Sequence, residues 1–123
     1  LVTVEQGIYR KSSAWWPHIN KANCIERTEE LIRSVGLIDQ SFSFASDLTR
    51  YEQRCLGIAR GLAMDPRILL IDEPADGMNT QQQHALAGIL KDVCKGVLTL
   101  VVTSAGNDPV ALICDRTVHL SPH

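Results

Sequence analysis

Two adjacent carboxylates, Asp72 and Glu73, are the side chains of this sequence best placed to do chemistry. They follow the apolar run 68–71, which is the pattern of a short strand buried on both faces of a parallel sheet. Ligands of α/β proteins bind just beyond the carboxyl ends of such strands. There the first carboxylate could hold Mg²⁺ through its water shell, and the second could orient and deprotonate an attacking water. In the alternative interpretation, two acidic residues simply end a strand and cap the next turn.

The elements that must position these carboxylates are predicted from hydrophobic periodicity. Apolar residues recur at helical spacing in three segments, residues 24–35, 51–64 and 80–95. Glycines at 36 and 96 lie where helix C-caps usually occur. Apolar strands are expected at residues 68–71, 97–103 and 117–120, with a short helix at 108–114. Strand, helix, strand, helix, strand implies right-handed parallel crossovers, so the predicted fold class is α/β.

A longer run around the carboxylates resembles a known family. Residues 56–74 read LGIARGLAMDPRILLIDEP, and residues 75–79 continue with ADGMN. This run resembles the segment that links the signature helix to the Walker B strand in ATP-binding-cassette (ABC) ATPases. It looks most like the subset that energises branched-chain amino acid importers. The resemblance spans the chain, from residues 1–5, similar to the segment after the family's Q-loop, to residues 114–116.

The resemblance implies a fold, a cofactor and partners. It implies a partial P-loop NTPase domain, with a helical subdomain over residues 1–65 and parallel β-α-β elements over residues 66–123. Asp72 would be the Walker B carboxylate on the magnesium side, and Glu73 would be the catalytic base for Mg-ATP hydrolysis. The D-loop, which meets the other ATPase of the dimer, would be Ala75, Asp76, Gly77, Met78 and Asn79. The implied partners are a second ATPase subunit and a membrane permease, at the cytoplasmic face of the membrane.

The sequence departs from the family pattern at the phosphate-binding loop. No G-x-x-x-x-G-K-[ST] motif occurs in the 123 residues. Backbone N–H groups and a lysine of that loop normally neutralise the β- and γ-phosphates, so we expect little Mg-ATP affinity from this chain alone. The first residue is leucine and not methionine, which is compatible with truncation upstream. If the chain is part of an ATPase subunit, the native polypeptide is expected to extend upstream and carry the missing loop; if it is a remnant, the 123 residues are the whole product.

A second departure lies in the signature loop, which reads Leu-Ser-x-Gly-Gln in the family and contacts ATP on the partner subunit. Here the aligned residues 48–52 read LTRYE. Thr49 keeps a hydroxyl, but Tyr51 stands where glycine lets the backbone approach phosphate, and Glu52 adds negative charge beside an anion. Arg50 could offset part of that charge.

Ser104 falls where the family's switch histidine would follow the second strand. A serine donates one hydrogen bond and cannot bridge the γ-phosphate and the base as an imidazole does.

Two functions stay open: part of an ATPase subunit that drives import, or a non-catalytic remnant or regulatory module that packs on a full subunit. The heads of chromosome-structural ATPases share the motif order but fit less well, because no heptad segment precedes the signature.

Composition narrows the partners and the compartment. The net charge is −2 and no Lys/Arg block exists, which disfavours nucleic acid as a partner. No apolar run approaches the roughly 20 residues that a bilayer span needs, so the chain is predicted to be cytoplasmic. The cysteines form no zinc motif and are expected to be reduced and buried; they are Cys24, Cys55, Cys94 and Cys114.

Overall fold

The computed structural model describes residues 21–95, 99–104 and 109–120. The elements in chain order are α1 (Lys21–Ser34), α2 (Arg50–Ala63), β1 (Ile68–Ile71), α3 (Thr80–Val93) and β2 (Thr99–Val102). The described part therefore has the predicted order of helices followed by a parallel β-α-β unit. Some predictions lie outside the described residues. They are the resemblance of residues 1–5, the C-cap at Gly96, the start of the strand predicted at 97–103 and the first residue of the helix predicted at 108–114.

Helix α1 confirms the helix expected at residues 24–35, and its C-terminus shows why glycine follows. Gly36 has a φ of 74°, in the left-handed region. Its N–H donates to the Arg33 carbonyl at 3.0 Å, and the Leu37 N–H donates to the Ile32 carbonyl at 2.9 Å. This pair of bonds is a Schellman motif, in which the residues at the positions of Leu37 and Ile32 are commonly hydrophobic. Both residues are buried here.

Helix α2 begins one residue before the predicted start and packs its apolar face into the core. Its buried residues recur at helical spacing; they are Cys55, Ile58, Ala59, Leu62 and Ala63. The helix ends where Asp65 adopts a φ of 48° ahead of Pro66. At Gly61 a Cβ atom would lie 2.9 Å from the Leu69 Cδ1, so glycine permits close contact between α2 and β1.

The two strands form one parallel pair, joined through α3. Ile68 pairs with Thr99 and Ile71 with Val102, which confirms the strand at residues 68–71. The second strand ends at Val102, one residue before its predicted end, and its predicted start at residues 97–98 lies outside the described residues. Buried residues of the three helices form one core on one face of this pair, and Leu86 and Leu90 of α3 are fully buried in it. Val110, from the segment after β2, is also fully buried there.

Three predictions about these elements are wrong. Strand β1 is not buried on both faces: Leu70 is 72% exposed, because within the described residues the helices cover only the face that carries Leu69 and Ile71. Residues 117–120 have no regular secondary structure and do not join the two-stranded sheet, and Leu120 is 90% exposed. The helix expected at 108–114 is only a 3₁₀ turn at Ala111–Ile113.

The expectation for the cysteines holds for half of them. Cys24 and Cys55 are buried thiols on the inner faces of α1 and α2, as expected. Cys94 and Cys114 are exposed, so the prediction of burial is wrong at these two positions. Each lies directly after the end of a helical element, Cys94 after α3 and Cys114 after the 3₁₀ turn.

Candidate functional site

One threonine hydroxyl organises the two carboxylates at the carboxyl end of β1. Thr103 Oγ1 donates a hydrogen bond to Asp72 Oδ1 and accepts one from the Glu73 N–H at 3.0 Å. The Thr103 N–H donates to the Ile71 carbonyl at 3.1 Å, which continues the ladder between β1 and β2 by one residue. Asp72 and Glu73 are both exposed, as groups that bind a hydrated cation or activate water need to be.

The backbone at Glu73 is held in an uncommon conformation. Its φ is 39°, in the left-handed region that costs a non-glycine residue about 1–2 kcal/mol. The fully buried Pro74 follows, and the Glu73 carbonyl accepts from the Asp76 N–H at 3.2 Å. The Thr103 contact on one side and this turn on the other therefore hold the backbone from which the Glu73 side chain extends.

The segment predicted as the D-loop, residues 75–79, joins this turn to α3. Ala75 is buried, whereas Asp76 and Gly77 are exposed and Gly77 has a φ of 70°. Met78 is half-buried, and its N–H donates to the Ala75 carbonyl at 3.2 Å. The loop is thus a compact turn with an anchored start.

Asn79 ends this loop as the N-cap of α3. Its Oδ1 accepts from the Gln82 N–H at 2.9 Å, and its own N–H donates to Gln82 Oε1 at 3.2 Å. These reciprocal bonds form a capping box. The side chain of Asn79 is accordingly used to begin the helix, a local role that the sequence comparison with the family did not indicate.

A second capping box closes the N-terminus of α2, where the signature loop was predicted. The Thr49 N–H and hydroxyl both donate to Glu52 Oε2 at 2.7 Å, and Thr49 Oγ1 accepts from the Glu52 N–H at 3.3 Å. The hydrogen bonds from Thr49, first from its side chain and then from its backbone, lower the pKa of the Glu52 carboxyl. A carboxylate of the same chain therefore occupies the helix end that an anion would approach.

Tyr51 packs inward, where the family pattern has glycine. Its ring lies partly buried against the core, and burial together with the neighbouring Cys55 thiol raises the pKa of Tyr51 to about 12. The phenol is therefore neutral at physiological pH.

Arg50 extends from the same helix end to the predicted D-loop. Its Nη2 atom lies 3.2 Å from Asp76 Oδ2. The sequence suggested Arg50 as a possible phosphate contact, whereas the structure pairs it with a carboxylate of its own chain. Ser104, the remaining predicted site residue, is exposed and directly follows Thr103.

The structure thus brings the predicted site residues together in two groups. One is Asp72, Glu73 and Thr103 at the sheet edge, and the other joins Thr49 and Arg50 to the loop at Asp76. Thr103 was missed by sequence reasoning. A signal existed, since polar residues after adjacent parallel strands share one sheet edge.

Curated relatives share most of this chain. It is 36% identical over 91 residues to the methionine import ATP-binding protein MetN of Myxococcus xanthus, a match that covers 73% of the chain. It is 38% identical over 85 residues to the lipoprotein-releasing system ATP-binding protein LolD of Syntrophus aciditrophicus, over 68% of the chain. The chain is homologous to the ATP-binding subunits of ABC transporters. These matches span 28% and 38% of the two relatives' lengths, and no family model matches the sequence.

Solved structures agree on the fold of this ABC homologue. CbiO1 of Clostridium perfringens, described as part of the ABC transporter complex cbiONQ, superposes with a TM-score of 0.75 at 21% identity. That match covers 91% of the chain and 44% of CbiO1. The ADP conformation of the ABC cassette MJ1267 superposes with a TM-score of 0.67 at 18% identity, over 92% and 48% of the two chains. The predicted α/β fold of a partial ABC ATPase domain is confirmed.

The homology also bears on finer predictions. The relatives named above import methionine or release lipoproteins, so their names do not confirm the branched-chain amino acid importer subset.

Among the helices in the described ranges, none combines the length and apolar character needed to cross a bilayer.

Proposed function

We propose that this chain is the part of an ABC ATPase that carries the signature helix, the Walker B carboxylates and the D-loop. The arrangement of Asp72, Thr103 and Glu73 at the carboxyl edge of the parallel pair supports this proposal most directly. In it, Asp72 would hold Mg²⁺ through its water shell, and Glu73 would be the general base toward the attacking water. The chain is divided into the helical subdomain 1–65 and the α/β portion 66–123.

The residues at this edge suit a hydrated magnesium ion. Mg²⁺ prefers carboxylate and water oxygens and keeps several of its waters. Asp72 has one oxygen fixed by Thr103 and is exposed, so its other oxygen can accept from a metal-bound water. Bound Mg-ATP would supply the γ-phosphate that is hydrolysed. The Glu73 carboxylate, also exposed, would take the proton of the attacking water.

The 123 residues alone are proposed to be inactive as an ATPase, since they contain no P-loop motif. We expect activity only when a P-loop segment completes the nucleotide site. The test is a fusion in which the P-loop half of an active ABC ATPase is placed upstream of Leu1. Phosphate release by the fusion, with none from the chain alone, is the expected result.

Two variants of the fusion test the assigned roles. Glu73→Gln should lower the rate about a hundredfold or more, because it removes a general base. Asp72→Asn should raise the magnesium concentration needed for half-maximal rate. Glu29→Gln, an exposed carboxylate on α1, serves as the matched control and should leave the rate unchanged. An active fusion whose rate survives Glu73→Gln would remove Glu73 from the mechanism.

A non-catalytic module is the second candidate function, and the closed capping box at α2 favours it. Glu52 and Tyr51 occupy the helix end that would face nucleotide, and Ser104 replaces the switch histidine. If this candidate is correct, the fusion stays inactive. The triple change Tyr51→Gly, Glu52→Gln and Ser104→His would then give phosphate release. Activity of the unmodified fusion would exclude the non-catalytic role.

The remaining proposals concern partners, solute and location. By homology we propose that the chain works with a second ATPase subunit and a membrane permease, at the cytoplasmic face of the membrane. Methionine import by one group of relatives supports an amino acid as the solute at a coarse level. The branched-chain substrate remains a prediction that rests on the loop sequence Gly77-Met78-Asn79.

A further inference from the structure

We propose that Arg50 is a positioning residue that ties the D-loop to the N-terminus of α2, so that both segments are held as one unit. Its guanidinium is paired with Asp76, with 3.2 Å between Nη2 and Oδ2, across 26 positions of sequence. The family's signature, Leu-Ser-x-Gly-Gln, leaves the position of Arg50 unspecified, so the motif itself does not call for an arginine there.

Gly77 turns this ion pair into a packed contact. A Cβ atom built on Gly77 would lie 2.7 Å from Arg50 Nη1 and 3.0 Å from its Cζ. The guanidinium thus lies directly against the glycine backbone, in space that any other side chain would occupy. Gly77 also has a φ of 70°, so a larger residue there would strain the backbone and would displace the guanidinium.

Both partners of the link are attached to fixed structure. Arg50 is the first residue of α2, directly after the Thr49 cap. Asp76 lies between the buried Ala75 and the α3 cap at Asn79. A contact between two anchored segments restricts their relative motion more than a contact to a free loop would.

The strength of the link is limited by solvent. The Arg50 and Asp76 side chains are 67% and 62% exposed, so the ion pair is weak and sensitive to salt. Its role is to bias the loop conformation and not to hold the fold together. Any effect on a dimer rests on the proposed function, because only in the proposed dimer do both segments face a partner subunit. The contact between Arg50 and Asp76 does not depend on that function.

Amide hydrogen exchange on the full chain at low salt tests the link. The reporters are the N–H groups of Asp76 and Met78, which donate to Glu73 and Ala75 at 3.2 Å. Arg50→Gln and Asp76→Asn should each speed their exchange about two- to fivefold, the range expected for an exposed ion pair. The double variant should exchange no faster than either single variant. The charge swap Arg50→Asp with Asp76→Arg should recover part of the protection.

The matched control is Arg27→Gln, which removes the exposed 3.0 Å ion pair between Arg27 and Glu30 within α1. It should leave the reporters unchanged. Reporter exchange that is unaffected by the single variants, or that rises additively in the double variant, would overturn the proposal.

A second measurement uses unfolding in urea and does not depend on exchange. Gly77→Ala should cost more stability in the wild-type background than in Arg50→Gln, because the steric conflict with the guanidinium exists only in the first. Equal costs in the two backgrounds would overturn the packed contact. Failure of the P-loop fusion to hydrolyse ATP would refute the proposed function and leave both of these measurements standing.

Discussion

At the scale of single residues, Thr103 connects the two strands at the point where chemistry is proposed. Its hydroxyl bonds to the Asp72 carboxylate and to the Glu73 backbone, while its own N–H belongs to the ladder. The uncommon φ of Glu73 is retained in part through this bond. One side chain just after β2 thus contacts both residues just after β1, the Asp72 carboxylate and the Glu73 backbone.

We expect Thr103→Val to destabilise the fold by about 1 kcal/mol, because it removes two hydrogen bonds with little change of shape. Urea unfolding followed by circular dichroism measures this loss. Thr103→Ser keeps the hydroxyl and is the matched control. Equal stability of the valine variant and the wild type would show that the hydroxyl does not support the Glu73 turn.

The lowered pKa of Glu52 predicts a pH dependence. A carboxyl group with a lowered pKa in the folded state stabilises that state above the usual value of 4.5, and this contribution is lost as pH falls through the lowered pKa. In Glu52→Gln, the difference in melting temperature between pH 7 and pH 3 should therefore shrink. Glu29→Gln, with an exposed carboxylate on α1, should shrink it less. Equal shrinkage in both variants would contradict a specific role of the capping box.

The candidate carboxylates could be predicted from sequence, because an apolar run followed by Asp72 and Glu73 is a local pattern. The role of Thr103 could not, since it depends on the register between two strands that are some 30 residues apart in sequence. Arg50 shows the same limit. Its charge indicated a possible phosphate contact, but its pairing with Asp76 appears only once α2 and the loop are packed together.

At the scale of elements, helix ends are specified more locally than strands. Glycine after α1 and the Asp-Pro pair after α2 predicted both C-termini to within a residue or two. Residues 117–120 were predicted as a third strand that continues the β-α-β pattern. A strand requires a hydrogen-bonded neighbour, and in the described part of the chain none lies beside them. Local patterns therefore predict helices better than sheet membership.

Two glycines that differ in backbone conformation provide a matched pair of substitutions. Neither Gly36 nor Gly57 would place a Cβ within 4 Å of other atoms, so space is equal at both. Gly36→Ala should cost about 1 kcal/mol because its φ is 74°. Gly57→Ala, within α2, should stabilise by about 0.5–1 kcal/mol. Chemical denaturation checks both signs, and a neutral Gly36→Ala would contradict the Schellman assignment.

At the scale of the whole molecule, the parallel pair presents an apolar face that none of the described residues covers. Ile68, Leu70 and Val101 alternate with the core-facing residues of the strands and are exposed. Relatives are two to four times as long as the matched segment, which is consistent with further structure beside the sheet in those proteins. An exposed face of this kind favours self-association.

We therefore expect the chain to self-associate as its concentration rises, and Leu70→Thr to weaken that association while preserving the strand. Sedimentation equilibrium over a range of concentrations gives the average mass. Leu120→Thr is the control, because Leu120 is even more exposed but lies outside the sheet. Association that responds equally to both changes would indicate general stickiness and not a role for the sheet face.

The close contact of Gly61 with Leu69 makes position 61 the point about which α2 would tilt on the sheet. The helix runs about 16 Å from Gly61 back to Arg50 at a rise of 1.5 Å per residue, so a tilt of about 4° at the contact would shift its far end by about 1 Å. If a methyl group at position 61 tilted the helix and did not merely displace Leu69 Cδ1, the change would appear at the opposite end of the helix, in the distance between Arg50 and Asp76.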